Sequence, residues 1–384
     1  MTDGRPRPVH VLGWGATTAL GVGCSAGVEA LRAGTRPVAT ACRSPHLAPT
    51  PGEPLLVFEA PVEGADLHGR ARFVVDSATD EALGMAPPSR GTIGVFAGTT
   101  GGFFVDGEHV VLEARRTDPT AWPPFVQRGA GELAAHVAAR LGATGPIATY
   151  STACTSSAVA LASAARHLRS GTCERAVVVG YDLLSSLTLH GFRSLLLVDS
   201  APCRPFDLER AGLQLGEGCG VVVLGTDAEG PYRVEGSANV LAAGHLTSSA
   251  TDGSTAEAVM AGALASSGRS PEEVVTLKAH GTGTRDNDLA EGAGIRRLFG
   301  TPPPFSSLKG AIGHTLGAAG AVEMALWLAA LQAGFVPASA GFSALDPEIG
   351  VSPQRSLVPA PRGTHLFNAF GFGGSCIAQV VCDA

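Results

Sequence analysis

Several things are scarce in this chain of 384 residues, and each absence narrows what it can do. None of its eight cysteines (24, 42, 154, 173, 203, 219, 376 and 382) forms a Cys-x-x-Cys pair or joins histidines in a tight cluster. No zinc site is therefore expected, and the thiols read as reduced. No apolar run reaches the length of a membrane span. Basic residues are not in excess: the formal net charge of −7 argues against nucleic-acid binding through a global field. Met1 to Pro8 is polar, has no cleavable apolar core and runs into a β-like segment, so a cytoplasmic location is expected.

Charged residues make up only 16% of the chain, whereas 45% are hydrophobic and 51 are glycine, which suits a tightly packed α/β protein with one large or two joined cores. Strand-like runs (Gly91 to Ala97, Ala176 to Val179, Gly220 to Leu224) alternate with Ala-rich helical runs (Gly131 to Leu141, Thr255 to Ala265). The acidic stretch Asp227 to Pro231 reads as a seam between a half spanning 1–228 and a half spanning 229–384. Pro37 to Pro61, with six prolines, reads as a surface excursion of little regular structure.

Three distant segments suit covalent acyl chemistry: Ser-Thr-Ala-Cys-Thr-Ser-Ser around Cys154, Lys-Ala-His-Gly-Thr-Gly-Thr around His280, and Ser-Leu-Lys-Gly-Ala-Ile-Gly-His ending at His314. Gly145 to Tyr150 reads as a short strand and Ala158 to Arg169 as a helix, so Cys154 is expected on a strand-to-helix turn with its sulfur exposed. There the helix N-terminus would lower the thiol pKa. Gly281, Thr282, Gly283 and Thr284 let backbone and hydroxyls approach a ligand closely. Gly317 to Gly320 open a helix continuing through Leu331, and Lys309, five residues before His314, could hold its geometry or disfavour its imidazolium. A fourth segment, Asn368 to Cys376, carries Gly371, Gly373 and Gly374 and can present a backbone N–H to an oxyanion.

Together these segments resemble the β-ketoacyl synthase family of condensing enzymes, in its Cys-His-His branch. Arg204-Pro205-Phe206-Asp207, Arg210, Gly212 and Gly216-Glu217-Gly218 resemble a further family signature, and the likeness runs from Val11-Leu12-Gly13-Trp14-Gly15 to the last strand. The resemblance implies a duplicated thiolase-like fold, five layers deep (α-β-α-β-α), with the cysteine from the first half and both histidines from the second. It implies that Cys154 accepts the acyl group, that His280 and His314 assist decarboxylation of a malonyl thioester, and that Lys309 positions the second histidine. It makes Glu323 and Asp288 supporting acids, Thr282 and Thr284 contacts of a phosphopantetheine arm, and the N–H groups of Cys154 and Phe372 the oxyanion hole, with Phe372 as gate. No metal or cofactor is implied beyond the phosphopantetheine of an acyl carrier protein. The implied partners are that carrier and a second subunit, either a copy or a related ketosynthase-like or chain-length-factor chain.

Two departures stand out: Ser151 and Thr155 in the cysteine motif, and Ser375-Cys376 where the family has threonine and asparagine. They bear on pocket shape and on support behind the gating loop. The phrase from Lys309 to Gly320, with Thr155, leans toward discrete type II systems. Arg70, Arg72 and Arg210 are candidates for a carrier-binding surface, and Phe103, Phe104, Trp122 and Phe125 either limit chain length or pack a core. Competing readings are a noncatalytic chain-length-factor-like partner, a coenzyme A-dependent thiolase using Cys376, and a serine hydrolase at Gly23-Cys24-Ser25-Ala26-Gly27. The last needs a strand running into the serine, and Gly15 to Val22 reads as a connection.

Overall fold

The structure, a computed structural model, describes residues 7–37, 40–41, 56–62, 67–120, 129–242 and 251–384. Most of Pro37 to Pro61 lies outside them, as do Trp122 and Phe125; short strands Thr40–Ala41 and Leu56–Phe58 are the described parts of the first segment's interior.

Runs of β-branched residues form the strands, and two sets of five repeat one arrangement. In the first, Val9–Thr18, Ile93–Gly98, Ile147–Tyr150, Arg175–Asp182 and Gly218–Gly225 lie in the spatial order third, second, fourth, fifth, first. In the second, Tyr232–Leu241, Val274–Lys278, Phe305–Ser306, Thr364–Phe370 and Ser375–Asp383 take the same order. Each set has two parallel pairings followed by two antiparallel ones. The two first strands pair with each other at Val9↔Val234, His10↔Arg233 and Val11↔Tyr232, so the sets join edge to edge. The stretch Asp227 to Pro231 is the link between them.

Two helices lie between the sets. Ala319–Gln332 is apolar all round and buried from Ala319 to Leu331, as a helix without a polar face must be. It packs with Ser156–Arg169 on the first set, and both touch strands of the second. Helices Leu67–Met85 and Gly131–Leu141 cover the outer face of the first set; Ser254–Ser267 covers that of the second, and Arg285–Phe299 packs beside it, with Ile295 in the same core and Glu291 bonded to Asn368. The result is the expected five-layered α-β-α-β-α architecture.

A row of missing side chains lets the central helices sit close. Gly98, Gly180 and Gly220 are register neighbours across three strands, and Ala16 continues the row. A Cβ on Gly98 would lie 2.3 Å from Ser157 Cα, one on Gly180 2.9 Å from Ala321 Cβ, and one on Gly220 2.3 Å from Val322 N. The contacts reach both helices near their N-termini, where the chemistry-bearing residues enter.

Two sequence expectations are corrected here. Gly15 to Val22 is not a connection: the first strand continues to Thr18 and turns back as Gly21–Val22, with Gly21 (φ 138°) and Gly23 (φ 89°) making the turns. Gly23 to Gly27 reads in the sequence as a turn leading into a helix at Val28 to Arg32, but the helix already starts at Cys24 and Ser25 lies inside it. Phe103 packs edge-on to Tyr181 and His136 in the core under Leu67–Met85, which is the packing reading of that residue.

Gly220→Ala forces a methyl onto helix backbone and should lower stability by about 1–3 kcal/mol in urea unfolding. Gly84→Ala, at a helical glycine whose Cβ would meet nothing within 4 Å, should be neutral or stabilising by about 0.5–1 kcal/mol.

Candidate active site

Cys154 sits where strand Ile147–Tyr150 turns into helix Ser156–Arg169. Hydroxyls shape the turn: Ser156 Oγ accepts from Thr152 N and donates to Ala153 O, Thr155 Oγ1 donates to Thr152 O, and Ala153 adopts φ 52°. His280 leaves strand Val274–Lys278 on a loop held from behind by two carboxylates of helix Arg285–Phe299. Glu291 accepts from His280 N and Gly281 N, both at 2.8 Å, and Asp288 accepts from Thr282 N, Gly283 N and Phe206 N. The backbone of His314 is zipped to the glycine-rich signature, with His314 N donating to Gln214 O and Gly216 N donating to His314 O. A Cβ on Gly216 would lie 2.1 Å from Ile312 O, so that contact needs glycine.

These turns bring the three side chains together. His314 Nε2 lies 3.0 Å from Cys154 Sγ, and the rings of His280 and His314 meet edge to face with centroids 5.5 Å apart. A cavity of about 240 Å³ is lined by all three, by Thr282 and Thr284, whose hydroxyls are 2.9 Å apart, and by Phe372. The N–H groups of Phe372 and Cys154 both reach the sulfur. Gly371 approaches the cysteine turn closely: a Cβ there would lie 3.2 Å from Cys154 N. Gly373 (φ 79°) makes the turn that follows, and Phe372 stacks on Phe192 with ring centroids 5.1 Å apart.

Electrostatics differ from the sequence expectation at the cysteine. Its sulfur is buried, not exposed, and burial pushes the thiol up to about 12; the Lys309 cation and the two N–H groups oppose this without overcoming it. Helix-terminal stabilisation is limited to about 2 kcal/mol even in partly buried sites, less than the cost of desolvating a thiolate. Burial also holds His280 and His314 well below the ordinary imidazole value, reinforced by Lys309, so both rings are neutral. Lys309 donates to the first histidine rather than the second: its Nζ is 3.2 Å from His280 Nδ1 and 2.8 Å from His280 O, while it reaches His314 only through its field. An ammonium on Nδ1 leaves His280 Nε2 to carry the proton. His314 Nδ1 has no hydrogen-bond partner among the described residues.

Glu323 receives Lys309 on one oxygen and Lys278 on the other, each at 2.5 Å. Sequence reasoning missed Lys278 and Glu291, although Asp288 and Glu291, three apart on one helix face, carried a signal. Arg70 and Arg210 do not offer a free basic surface, because Arg70 is paired with Glu217 and Arg210 with Asp346; Arg72 is exposed. Cys376 is buried in the core of the second strand set, at the register position between Phe370 and Val240. The two sequence departures meet: Thr155 Oγ1, whose proton goes to Thr152 O, lies 2.9 Å from Ser375 Oγ and accepts from it, tying the cysteine turn to the start of the last strand. Among the described residues no group of three or more His, Cys, Asp or Glu could hold a metal ion, and no helix is long and apolar enough to cross a membrane.

Comparison with known proteins gives a consistent result. The family model "Beta-ketoacyl synthase, N-terminal domain" matches residues 72–229 and "Beta-ketoacyl synthase, C-terminal domain" matches residues 233–343. The chain is 30% identical over 354 residues to non-reducing polyketide synthase dpmpA of Macrophomina phaseolina, covering 85% of this chain and 16% of that protein. It is 34% identical over 260 residues to nodulation protein E of Rhizobium meliloti, covering 63% of each. The chain thus spans less than two thirds of these relatives. Among solved structures, a chain of "Ketosynthase (ApeO) in Complex with its Chain Length Factor (ApeC) from Xenorhabdus doucetiae" superposes with a TM-score of 0.85 at 27% identity, covering 98% of both chains.

The buried neutral histidines make stability pH-dependent. Their folded pKa lies below the unfolded value near 6.5, so the unfolded chain binds more protons and the stabilisation present above pH 6.5 drains as pH falls below it. The slope should reach about 1.4 kcal/mol per pH unit for each ring. Urea unfolding of wild type against a His280→Gln/His314→Gln variant, compared at pH 7 and 5.5, cancels the carboxylates and should show wild type losing more; equal losses would contradict the assignment of neutral rings.

Proposed function

The chain belongs to the β-ketoacyl synthase family, and from that premise we propose that it catalyses decarboxylative Claisen condensation of an acyl thioester held on Cys154 with malonyl-acyl carrier protein, giving 3-oxoacyl-acyl carrier protein. The system is a discrete type II polyketide, polyene or fatty-acid one, and the chain acts through halves 1–228 and 229–384 as a dimer with a copy or with a chain-length-factor-like subunit. The observation that carries the reading is the 3.0 Å approach of His314 Nε2 to Cys154 Sγ beside a second neutral imidazole.

A thiol pushed up to about 12 is almost wholly protonated at neutral pH, so loading cannot rely on a standing thiolate. In the proposed loading step the proton leaves sulfur for His314 Nε2 as sulfur attacks the acyl carbonyl, and it passes on to the departing phosphopantetheine thiolate. The carbonyl oxygen takes the N–H groups of Cys154 and Phe372 as its charge develops. Thioester exchange is close to isoenergetic, so the acyl group rests on Cys154 without a driving reaction.

Malonyl thioester then occupies the channel lined by Thr282 and Thr284. Loss of CO2 leaves its electron pair as an enolate, whose oxygen accepts hydrogen bonds from the imidazoles. Donors matched to developing charge lower the barrier because they gain strength only as that charge appears. The enolate carbon attacks the Cys154 thioester, the C–S bond breaks, and the departing thiolate takes from solvent the one proton that the overall reaction of a malonyl carboxylate consumes. Asp288, Glu291, Lys309 and Glu323 hold the loop and rings behind this chemistry, and Phe372, stacked on Phe192, gates the channel.

Retention of cysteine and both histidines favours catalysis over a noncatalytic chain-length-factor role. Cys154→Ala should gain no acyl mass from acyl-carrier thioesters in intact-protein mass spectrometry. His314→Ala, without the base of the loading step, should load about 10²-fold or more slowly yet detectably on long incubation, and should lose condensation by about 10²–10³-fold. A Cys154→Ala protein that acquires the same acyl mass as wild type would refute the nucleophile, and a wild type that never loads, alone or with a related subunit, would favour the noncatalytic role.

A further inference from the structure

Lys278 ends strand Val274–Lys278, two residues before His280, and the chemistry proposed above gives it no part. Its side chain is 2% exposed. Such burial of an ammonium is costly unless partners compensate it. Nζ donates to Glu323 Oε2 at 2.5 Å and to the backbone oxygen of Asn368 at 2.5 Å. Glu323 Oε1 is already engaged by Lys309, itself fully buried, whose Nζ also donates to His280 O. One carboxylate therefore faces two ammoniums.

Burial disfavours the Lys278 cation, and the fields of Glu323 and of Glu291 favour it. Helix Arg285–Phe299 brings Glu291 and Asp288, but their oxygens accept backbone N–H groups of the His280 loop, and Glu291 also accepts from Asn368 Nδ2. Strand Arg175–Asp182 brings Asp182, whose oxygens accept from Thr99, Thr100, Gly101 and Gly317. Cys154 faces the rings from the opposite turn, each ring faces the other, and Arg285 and Asp286 line the same cavity. Of the two ammoniums on Glu323, Lys309 touches His280 directly, and Lys278 holds the other carboxylate oxygen. Lys278 opposes protonation of both His280 and His314.

The second bond of Lys278 has a mechanical consequence. Asn368 lies in strand Thr364–Phe370, which runs directly into Gly371 and Phe372. One ammonium therefore ties the His280 strand, the central helix carrying Glu323 and the strand feeding the N–H of Phe372.

We propose that Lys278 is a positioning residue of the site: by sharing Glu323 with Lys309 it sets a second buried ammonium near His280 and His314 that adds to burial in disfavouring their protonation, while its bond to Asn368 O anchors the strand leading to the Gly371–Phe372 loop. The inference deepens the condensing-enzyme reading and rests on it for activity alone.

The decisive comparison is Lys278→Gln, which keeps an N–H donor without charge, against Lys278→Arg, which keeps the charge, and Lys278→Met, which keeps neither. Imidazole ¹⁵N NMR of histidine-labelled protein, with His280 and His314 assigned by single substitution, reads ring protonation in the free protein. Removing a nearby cation favours the imidazolium, so in Lys278→Gln both rings should protonate about one pH unit or more above wild type. Lys278→Arg should titrate like wild type. The acid limb of malonyl-carrier decarboxylation should move upward in pH with the NMR midpoints.

Rings that titrate alike in Lys278→Gln and wild type, or that stay neutral to acid unfolding in both, overturn the proposal, as does a change confined to Lys278→Met, which marks a packing role. Should Lys278→Met or Lys278→Arg fail to fold, Lys278→Gln against wild type decides. A wild type that releases no CO2 counts against the condensing-enzyme reading, and the NMR comparison still decides the role of Lys278.

Discussion

The site depends on how closely two helices can approach a sheet. Strand-to-helix distance in an α/β layer is set by the side chains between, and here three adjacent strands contribute none at the level of Gly98, Gly180 and Gly220. Ser157, Ala321 and Val322 descend into that row, which lowers the first turns of both central helices toward the strands. Cys154 lies two residues before one helix, and His314 lies five residues before the other. A contact of 3.0 Å between their side chains follows from backbone packing that no rotamer choice could replace.

The same packing buries the reacting side chains, and desolvation then governs the charge state of the thiol and both imidazoles. Thiol and imidazoles are driven neutral, while Lys278, Glu323 and Lys309 remain as a line of hydrogen-bonded charges behind the rings. Neutral reactants in a buried site need little reorganisation before reaction, and fixed donors gain strength on charge that appears only in the transition state. A cysteine activated by an exposed helix terminus would work differently: it would hold a standing thiolate, better solvated and open to oxidation. The cavity geometry favours proton transfer coupled to attack.

Much of this was legible in the residues. Small neighbours and glycines marked Cys154, His280 and His314, and helix Gly131–Leu141 has the bounds its periodicity gives. What escaped were properties that depend on three dimensions. The thiol pKa could not be read because the helix effect is local in sequence whereas burial is not. Lys309 was assigned by sequence proximity to His314, yet its long side chain spans to His280 O. Lys278 looked like an ordinary charge at a strand end, since nothing local announces that Glu323, 45 residues on, lies opposite. Val9 to Gly15 and Leu366 to Gly374 are only loosely alike in sequence and occupy first and fourth places in their sets, so strand order, not residue likeness, carries the repeat.

That repeat explains one further feature of the chemistry. Ala153 (φ 52°) lies three residues before central helix Ser156–Arg169, and Leu316 (φ 52°) lies three residues before central helix Ala319–Gln332. Each follows the third strand of its set, so Gly317 stands in the second half where Cys154 stands in the first. The end of the fourth strand faces both positions: Gly371 and Phe372 against Cys154, and Asp182 against Gly317. In the second position Asp182 fills the space a ligand oxygen would take, accepting from Gly317 N at 2.7 Å and from Thr99, Thr100 and Gly101, and burial raises it to about 6. A Cβ at Gly317 would lie 2.8 Å from that carboxylate, so no nucleophile fits there. One half of the duplicated frame presents its turn to the cavity; the other closes its turn on a carboxylate and so fixes the segment that delivers His314.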